Sequence, residues 1–360
     1  MILPGNWHGT SKTLNNESIF INACKRRPTE RTPIWIMRQA GRYLPEYRAV
    51  REKTDFLTLC KTPELASEVT IQPVDIIGID AAILFSDILV IPEAMGMPLE
   101  IVESKGPVFD APIRSRADVQ KLNTEGVTGR LQYVLDAVKL TKQRLAGRVP
   151  LIGFSGAPWT LATYMIEGKG SKNFDTVKRF MYAEPEATHE LLRVLSDAVI
   201  DYLNAKIKAG CDAVQIFDTW AGILSPTDLE EFSLRYIRYI CERLETNGTP
   251  VIVFAKGVSA WDELADLKCD VIGLDWTQDI GSVRSRIGDR KALQGNLDPC
   301  VLFAPKERIQ QETERILERF GAGSGHVFNL GHGILPTTPV ENAKYLVSCV
   351  KELSIKYHTQ

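Results

Sequence analysis

The sequence predicts a one-domain α/β protein, a (β/α)8 TIM barrel, on two observations. Short runs of β-branched and other apolar residues alternate with longer segments of helical periodicity along most of the 360-residue chain. Each short run is also nearly continuous in apolar residues, which is typical of parallel strands covered on both faces. Eight such runs separated by helical segments favour closure into a barrel, and a doubly wound open sheet is the alternative.

The predicted strands begin near residue 32 and recur to residue 331. In chain order they are TPIWIM (32–37), AAILFS (81–86), PLIGFS (150–155), AVQIFD (213–218), VIVFAK (251–256), VIGLD (271–275), ALQGN (292–296) and HVFNLG (326–331). The longest predicted helix runs from Pro185 to Ala209 and stops at a glycine, and residues 97–109 are predicted to form a hairpin-like insertion. We expect a loose tail at 1–15, rich in small polar residues, before a barrel of 16–360.

Charge and hydropathy exclude several classes of partner. The formal net charge is −2 and the isoelectric point is about 6.3, so no overall basic field is available for nucleic acid or an anionic membrane. No segment approaches the ~18–20 uninterrupted apolar residues of a membrane span, and the first residues lack the pattern of a secretory signal. An anion-binding site, if present, must therefore be a local cluster of cations.

The cysteines indicate a reducing compartment. They are scattered, with no Cys-x-x-Cys pair and no His-x-Cys, which fits free thiols better than a disulfide framework or a zinc site. We therefore expect a cytoplasmic protein without a metal. The seven are Cys24, Cys60, Cys211, Cys241, Cys269, Cys300 and Cys349.

Arginines follow the first predicted strand, where barrels of this class place their active sites. The stretch MRQAGRYLPEYRAVRE contains Arg38, Arg42, Arg48 and Arg51 within fourteen residues. Guanidinium groups bind carboxylates with two parallel hydrogen bonds and stay charged, so the cluster indicates a polyanionic ligand. A solvated basic surface is the alternative, and Gly41 favours the ligand because it lets backbone amides approach closely.

Other polar residues also end predicted strands. Asp87 follows an apolar run, so it is expected to be partly buried, either paired with an arginine or facing a cationic or N–H-rich ligand. His332 lies between glycines at the last strand, and Tyr164 could serve a ligand or simply pack. Lys256 allows a Schiff base, as in barrel aldolases, although Asp87 or Asp275 could instead pair with it.

Several segments resemble the uroporphyrinogen decarboxylase family. They occur in order from about Pro33 to the C terminus, over about nine-tenths of the chain, and two of them are long and specific. The segments are MRQAGRYLPEYR, FSDIL, SKGPVF, GFSGAPWTLATYMIEG, GLDW, QGNLDP and NLGHGI.

The resemblance implies a (β/α)8 barrel that converts the four acetate side chains of uroporphyrinogen III to methyl groups, giving coproporphyrinogen III in tetrapyrrole (haem) synthesis. It also implies a homodimer that uses no metal or organic cofactor. By position, Arg38 and Arg42 match arginines that bind substrate carboxylates, and Asp87 matches the aspartate that binds the pyrrole N–H groups. Further substrate contacts fall on Gln39, Ala40, Gly41, Tyr164, Phe217, Thr219 and His332.

The chemistry assigns roles to two of these residues. Loss of carbon dioxide leaves an electron pair on the acetate methylene, so the electron-rich pyrrole must first be protonated at carbon. Asp87 would stabilise the resulting cation. Arg38 is the candidate proton donor, directly or through water, although its weak acidity favours a relayed proton or a positioning role.

Two other functions stay open at this point. A zinc- or corrinoid-dependent methyltransferase of the same superfamily would need a His-x-Cys, which this chain lacks. A non-catalytic tetrapyrrole carrier would keep the arginines but could dispense with Asp87.

Overall fold

A curled parallel sheet surrounded by helices forms the centre of the structure, a computed structural model that describes residues 18–102 and 106–358. The predicted tail at 1–15 lies outside the described residues. In the described part of the chain seven strands form the main sheet, in the order β1-β4-β5-β6-β7-β8-β9, and every neighbouring pair is parallel. The strands are β1 (Ala82–Ile83), β2 (Leu99–Val102), β3 (Gly106–Phe109), β4 (Leu151–Gly156), β5 (Ala213–Asp218), β6 (Val251–Ala255), β7 (Val271–Gly273), β8 (Ala292–Gln294) and β9 (His326–Val327).

Helices connect consecutive strands of the sheet, as right-handed βαβ units require. Short 3-10 helices lie at Ala221–Ile223, Pro299–Phe303 and Ile355–Tyr357, and a π-helical turn lies at Glu230–Leu234. The α-helices are α1 (Ile19–Cys24), α2 (Pro45–Arg51), α3 (Phe56–Lys61), α4 (Pro63–Ile77), α5 (Val90–Ala94), α6 (Arg116–Gln120), α7 (Val127–Arg130), α8 (Gln132–Leu145), α9 (Pro158–Glu167), α10 (Asp175–Ala183), α11 (Pro185–Ala209), α12 (Pro226–Leu229), α13 (Arg235–Arg243), α14 (Trp261–Ala265), α15 (Ile280–Ile287), α16 (Lys306–Phe320) and α17 (Val340–Leu353).

The first predicted strand is the point at which the barrel closes. Instead of a strand, this segment makes one isolated parallel bridge, between Ile34 and Phe328. Its backbone still bonds to both edges of the sheet. The Phe328 amide donates to the Pro33 carbonyl, and the Asp80 amide donates to the Ile34 carbonyl, both at 2.8 Å. The predicted (β/α)8 barrel is therefore confirmed, with its first strand reduced to a bridge.

Side chains explain why this segment is not a regular strand. The carboxylate of Asp80 accepts the Ile34 amide at 2.9 Å and also pairs with both terminal nitrogens of Arg31. On the other side, the Asn329 side-chain oxygen accepts the Met37 amide at 2.9 Å. These side chains occupy amides that would otherwise extend the backbone ladder, so the regular pairing ends after one bridge.

Most other sequence predictions agree with the structure. The hairpin-like insertion is confirmed, because β2 and β3 pair antiparallel, with Leu99 opposite Phe109. The predicted second strand is shorter than expected, and just beyond it the Phe85 amide donates to the Thr70 hydroxyl at 2.9 Å instead of to the backbone of a neighbouring strand. Among the described residues, no helix is both long and apolar enough to cross a bilayer.

Two layers of apolar side chains pack on the two faces of the sheet. One lies between the strands and the outer helices, and the other fills the barrel interior, which receives alternate residues of each strand. On β6, for example, Ile252 and Phe254 point inward. Helix α1 contributes Phe20 to this interior. Just after the helix, the Arg26 carbonyl accepts a hydrogen bond from the Ser324 hydroxyl, which lies directly before β9. The helix therefore covers the N-terminal end of the barrel, opposite the active-site end.

The Phe20 side chain is fully buried, at 0% exposure, whereas the Phe303 side chain is 45% exposed. We predict that Phe20→Ala lowers the free energy of unfolding by roughly 3–5 kcal/mol, because it leaves a cavity at the base of the barrel. Phe303→Ala is the control, and surface truncations of this kind change stability by about 0.5 kcal/mol or less. Urea unfolding of both variants measures the difference, and equal losses would contradict the assigned role of α1.

Candidate active site

Arg38 directly follows residues 32–37, the segment that closes the barrel between β1 and β9 and is called the closing segment below. Its backbone adopts the left-handed conformation, with φ of +62°, which is uncommon for a residue with a side chain. Its side chain runs across Gly333, where a Cβ atom would lie 2.7 Å from the Arg38 Cγ atom. Glycine at this position is therefore a requirement for the position of the guanidinium. Sequence reasoning placed Gly333 beside His332 but did not detect this contact.

The four clustered arginines divide into two pairs. Arg48 donates to the Arg42 carbonyl at 2.8 Å, and Arg51 donates to the Thr54 carbonyl, so both fasten the backbone around α2. Arg38 and Arg42 have exposed side chains and no ion-pair partner in the described residues. Arg38 and Arg42 are therefore the better candidates for binding an anion, which narrows the prediction made from the four arginines to these two.

Asp87 follows β1 by four residues, at the mouth of the barrel. Its Oδ1 atom accepts the Leu89 amide at 2.6 Å, and its Oδ2 atom has no hydrogen-bond partner within the described chain. Burial raises the pKa of Asp87, and the Leu89 amide and the nearby Arg38 guanidinium oppose that rise. No structural ion pair with an arginine is formed by this carboxylate among the described residues. One oxygen therefore remains available for a ligand.

His332 follows β9 and lies within electrostatic reach of two positive charges. Burial, together with the charges of Arg38 and Lys256, lowers the pKa of His332 to about 4. The imidazole ring also contacts the indole of Trp276 edge-on, with 6.4 Å between the ring centroids. His332 is therefore neutral at neutral pH, so one ring nitrogen can donate a hydrogen bond and the other can accept one.

Aromatic rings form an apolar floor beneath these polar groups. Phe217, 8% exposed, points into the barrel, where it contacts Phe154 and Phe254 edge-on at centroid distances of 5.7 and 6.0 Å. Tyr164, on α9, contacts Trp220 at 5.9 Å. Burial raises the pKa of Tyr164, whereas the Arg38 charge lowers it, so the phenol lies within the electrostatic reach of the guanidinium.

Thr219 is held in place by the residue before it. Asp218 is fully buried and accepts the hydroxyls of Thr160 and Ser233 at 2.5 and 2.6 Å. The Thr160 hydroxyl in turn accepts the Trp220 amide at 3.2 Å. This network fixes the end of β5, and burial raises the pKa of Asp218 to about 6. Sequence reasoning named Asp218 only as a strand end and missed its supporting role.

Gln39 has a structural role that the sequence did not reveal. Its buried side chain accepts the Ile36 amide at 3.1 Å and donates to the Ala81 carbonyl at 3.2 Å, which ties the arginine loop to β1. The backbone amide of Gln39 also donates to the Ile36 carbonyl, at 2.9 Å. Backbone contacts from Ala40 and Gly41 to a ligand stay a prediction.

Asp275 fastens two neighbouring loops at the mouth. Its carboxylate accepts the Gly257 amide at 2.6 Å and the amide and hydroxyl of Thr277 at 2.8 and 2.5 Å. The expectation that Asp275 or Asp87 could pair with Lys256 is therefore wrong, because neither forms an ion pair with it in the described residues. Within the same residues, no group of three or more His, Cys, Asp or Glu side chains is placed to hold a metal ion.

Taken together, these residues define the class of protein. Unpaired guanidinium groups, a half-satisfied carboxylate, a neutral imidazole and an apolar floor share the C-terminal mouth of one barrel. This is where (β/α)8-barrel enzymes carry their active sites, and the combination suits a substrate with an apolar body and anionic side chains.

Comparison with known proteins identifies the family. The family model described as uroporphyrinogen decarboxylase matches residues 15–353. The chain is 56% identical over 346 residues to the uroporphyrinogen decarboxylase of Chlorobium phaeobacteroides, covering 94% of this chain and 99% of the relative. It is 57% identical to that of Chloroherpeton thalassium, covering 94% and 98%. The chain belongs to the uroporphyrinogen decarboxylase family.

Solved structures show the same fold at much lower identity. A methyltransferase from Methanosarcina mazei superposes with a TM-score of 0.76 at 21% identity, covering 92% of this chain and 97% of the other. A putative vitamin-B12-independent methionine synthase from Listeria monocytogenes gives a TM-score of 0.55 at 13% identity, covering 91% of this chain and 98% of the other. At this level of identity the likeness shows the barrel fold alone.

We predict that Gly333→Ala reduces turnover by roughly tenfold to a hundredfold, because the added methyl group displaces the Arg38 side chain from its position. The loss should resemble that of Arg38→Ala, which we expect to weaken binding and rate together. Gly129→Ala is the control, since a Cβ atom there meets nothing within 4 Å. Steady-state kinetics of the three variants provide the measurement, and normal activity of Gly333→Ala would contradict the proposed contact.

We also predict that Asp218 makes stability depend on pH. Its folded pKa of about 6 lies above the ordinary value of 3.8, so its contribution is complete below pH ~4 and is lost as the pH rises through 6. As the pH rises from 4 to 7, the free energy of unfolding of Asp218→Asn should therefore increase relative to that of the parent chain by up to roughly 3 kcal/mol. Asp279→Asn should lack this trend, because Arg319 lowers the pKa of Asp279. Urea unfolding across this pH range decides, and a constant difference for Asp218→Asn would refute the prediction.

Proposed function

We propose that this chain decarboxylates the four acetate side chains of uroporphyrinogen III to methyl groups, giving coproporphyrinogen III in haem synthesis. The relatives that carry the name uroporphyrinogen decarboxylase match it over nearly their whole length. In the structure, the observation that carries the proposal is the free Oδ2 atom of Asp87, which shares the barrel mouth with the unpaired Arg38.

The reaction requires a partner for a transient positive charge. A proton adds to a pyrrole carbon and creates an iminium-like group, which accepts the electron pair released when the carbon–carboxylate bond breaks. The methylene carbon then takes a proton, and the ring loses the one it had gained. Each acetate therefore consumes one proton and releases one molecule of carbon dioxide.

Asp87 is suited to stabilise this cation. Its carboxylate is preorganised by the Leu89 amide and partly removed from water, so its charge acts in a low-dielectric site. The free oxygen can accept hydrogen bonds from the pyrrole N–H groups at the centre of the macrocycle. Burial alone would favour the neutral acid, and the Arg38 charge and the ligand's N–H donors favour the carboxylate.

Arg38 and Arg42 bind substrate carboxylates in this proposal. Bidentate guanidinium–carboxylate contacts fix the orientation of the ring as well as its affinity. Arg38 also lies close enough to Asp87 and Tyr164 to influence both pKa values. It is the candidate proton donor, directly or through water, although its weak acidity favours a relayed proton or a positioning role. Tyr164, Thr219 and His332 complete the polar contacts, and Phe217 packs beneath the ring.

The assembly and location of the protein are also part of the proposal. By family membership we expect a homodimer in the cytoplasm that uses neither a metal nor an organic cofactor. Activity that persists in the presence of a chelator would agree with cofactor-free chemistry. A methyltransferase function gains no support from a specific residue, because the chain has no His-x-Cys.

We predict that Asp87→Asn lowers turnover by at least about a hundredfold while substrate binding persists, because the amide keeps the shape of the side chain but lacks its charge. Asp136→Asn, on the surface of α8, is the control and should leave turnover unchanged. The measurement is an anaerobic assay with uroporphyrinogen III, whose products are oxidised and separated by carboxylate number, with and without chelator. Normal turnover of Asp87→Asn would remove Asp87 from the mechanism.

A further inference from the structure

Lys256 is a mouth residue to which neither the family resemblance nor the mechanism gives a role. Inward-facing positions alternate along β6, with Ile252 and Phe254 in the barrel interior. The next position of the same parity is Lys256, directly after the strand ends. The alternation of a strand therefore directs Lys256 toward the mouth of the barrel, where the proposed substrate site lies.

The Lys256 ammonium has no carboxylate partner among the described residues. The nearest candidate, Asp275, already accepts hydrogen bonds from Gly257 and Thr277. Instead, the Lys256 Nζ atom lies 5.3 Å from the centre of the Trp276 indole ring, a cation–π distance. The ring, which is 38% exposed, holds the ammonium without occupying its hydrogen-bond donors.

The position of Lys256 around the barrel complements that of Arg38. Strand β6 is the fourth neighbour of the closing segment in either direction around the sheet, so it lies on the opposite side of the mouth. Both cations nevertheless act on one residue, since each lowers the pKa of His332. The two positive charges therefore lie at opposite sides of the barrel mouth, and both are within electrostatic reach of His332.

We propose that Lys256, supported by Trp276, binds a substrate carboxylate on the side of the macrocycle opposite to that held by Arg38 and Arg42. This inference rests on the proposed function, because uroporphyrinogen carries carboxylates around its whole circumference. Arginines on one side of the mouth can hold only part of that rim. A cation on the opposite side binds a carboxylate that these arginines cannot reach, and so keeps the centre of the ring over Asp87.

A lysine suits this position for a further reason. All four acetates must reach the same catalytic group, so the ring has to bind in several orientations, which place either an acetate or a longer propionate near Lys256. An ammonium on a flexible stem is a point charge and can follow either length, whereas a planar guanidinium demands a fixed geometry. Lys256 thus contributes affinity without fixing which side chain it meets.

The first test measures kinetics. Lys256→Met should raise KM for uroporphyrinogen about tenfold, the effect of one lost charged contact worth about 1.4 kcal/mol, while kcat changes by less than about threefold. Lys256→Arg should recover part of the affinity because it keeps the charge. Lys139→Met is the matched control, since Lys139 is on the outer helix α8, where it pairs with Asp136, and its KM should not change.

The second test uses the unmodified chain and is therefore independent of how any variant folds. Lysines are acetylated with limiting acetic anhydride, with and without uroporphyrin III, the oxidised octacarboxylate ring, and each site is quantified by mass spectrometry. Bound uroporphyrin should protect Lys256 several-fold and leave Lys139 unaffected.

The outcomes separate this inference from the proposed function. If the unmodified chain fails to decarboxylate uroporphyrinogen, the proposed function falls, and the protection of Lys256 still decides whether it binds a polycarboxylate ring. If the chain is active, a KM of Lys256→Met within twofold of the parent value overturns the inference. Equal acetylation of Lys256 with and without uroporphyrin overturns it as well.

Discussion

The barrel and its active site both depend on how the segment around Ile34 is held between the first and last strands. Side chains do much of this work. Asp80 accepts the Ile34 amide and is itself held by Arg31, while Asn329 accepts the Met37 amide. Because these bonds end the regular pairing early, the chain can turn into the left-handed conformation at Arg38 instead of continuing as a strand. The same hydrogen bonds therefore close the barrel and position Arg38 at its mouth.

The mouth of the barrel concentrates charges that the fold leaves uncompensated. Elsewhere many arginines and lysines have acidic partners, such as Arg319 with Asp279. At the mouth, Arg38, Arg42 and Lys256 have none within the described chain, and burial raises the pKa of Asp87. Unpaired charges held near one another lower the stability of the fold. They also create a positive potential at the mouth that a polycarboxylate ligand can neutralise.

The residues behind the site are as important as those that face it. Gln39 ties the arginine loop to β1, Asp218 fixes the end of β5, and Asp275 joins the loops after β6 and β7. Each is a polar side chain that is buried and satisfied by named partners, which is the arrangement that holds functional groups in one geometry. None of them carries a sequence signal that distinguishes this role from direct contact with a ligand.

The sequence by itself determined the fold class and most of its elements. Apolar runs of strand length and helical periodicity are local properties of the chain, so the eight-fold alternation, the hairpin insertion and helix α11 could all be predicted. The motifs also placed Arg38, Arg42 and Asp87 at strand ends, because barrel topology brings all the strand ends to one mouth.

Only the tertiary structure decided which of these residues are free to act. Sequence spacing could not show that Arg48 and Arg51 bind backbone carbonyls, or that Asp275 is already satisfied and leaves Lys256 unpaired. Nor could it show that Gly333 gives room to the Arg38 side chain, since nearly three hundred residues separate them. The physical reason is that hydrogen-bond satisfaction and steric contact depend on distances between remote parts of the chain, which local sequence patterns do not encode.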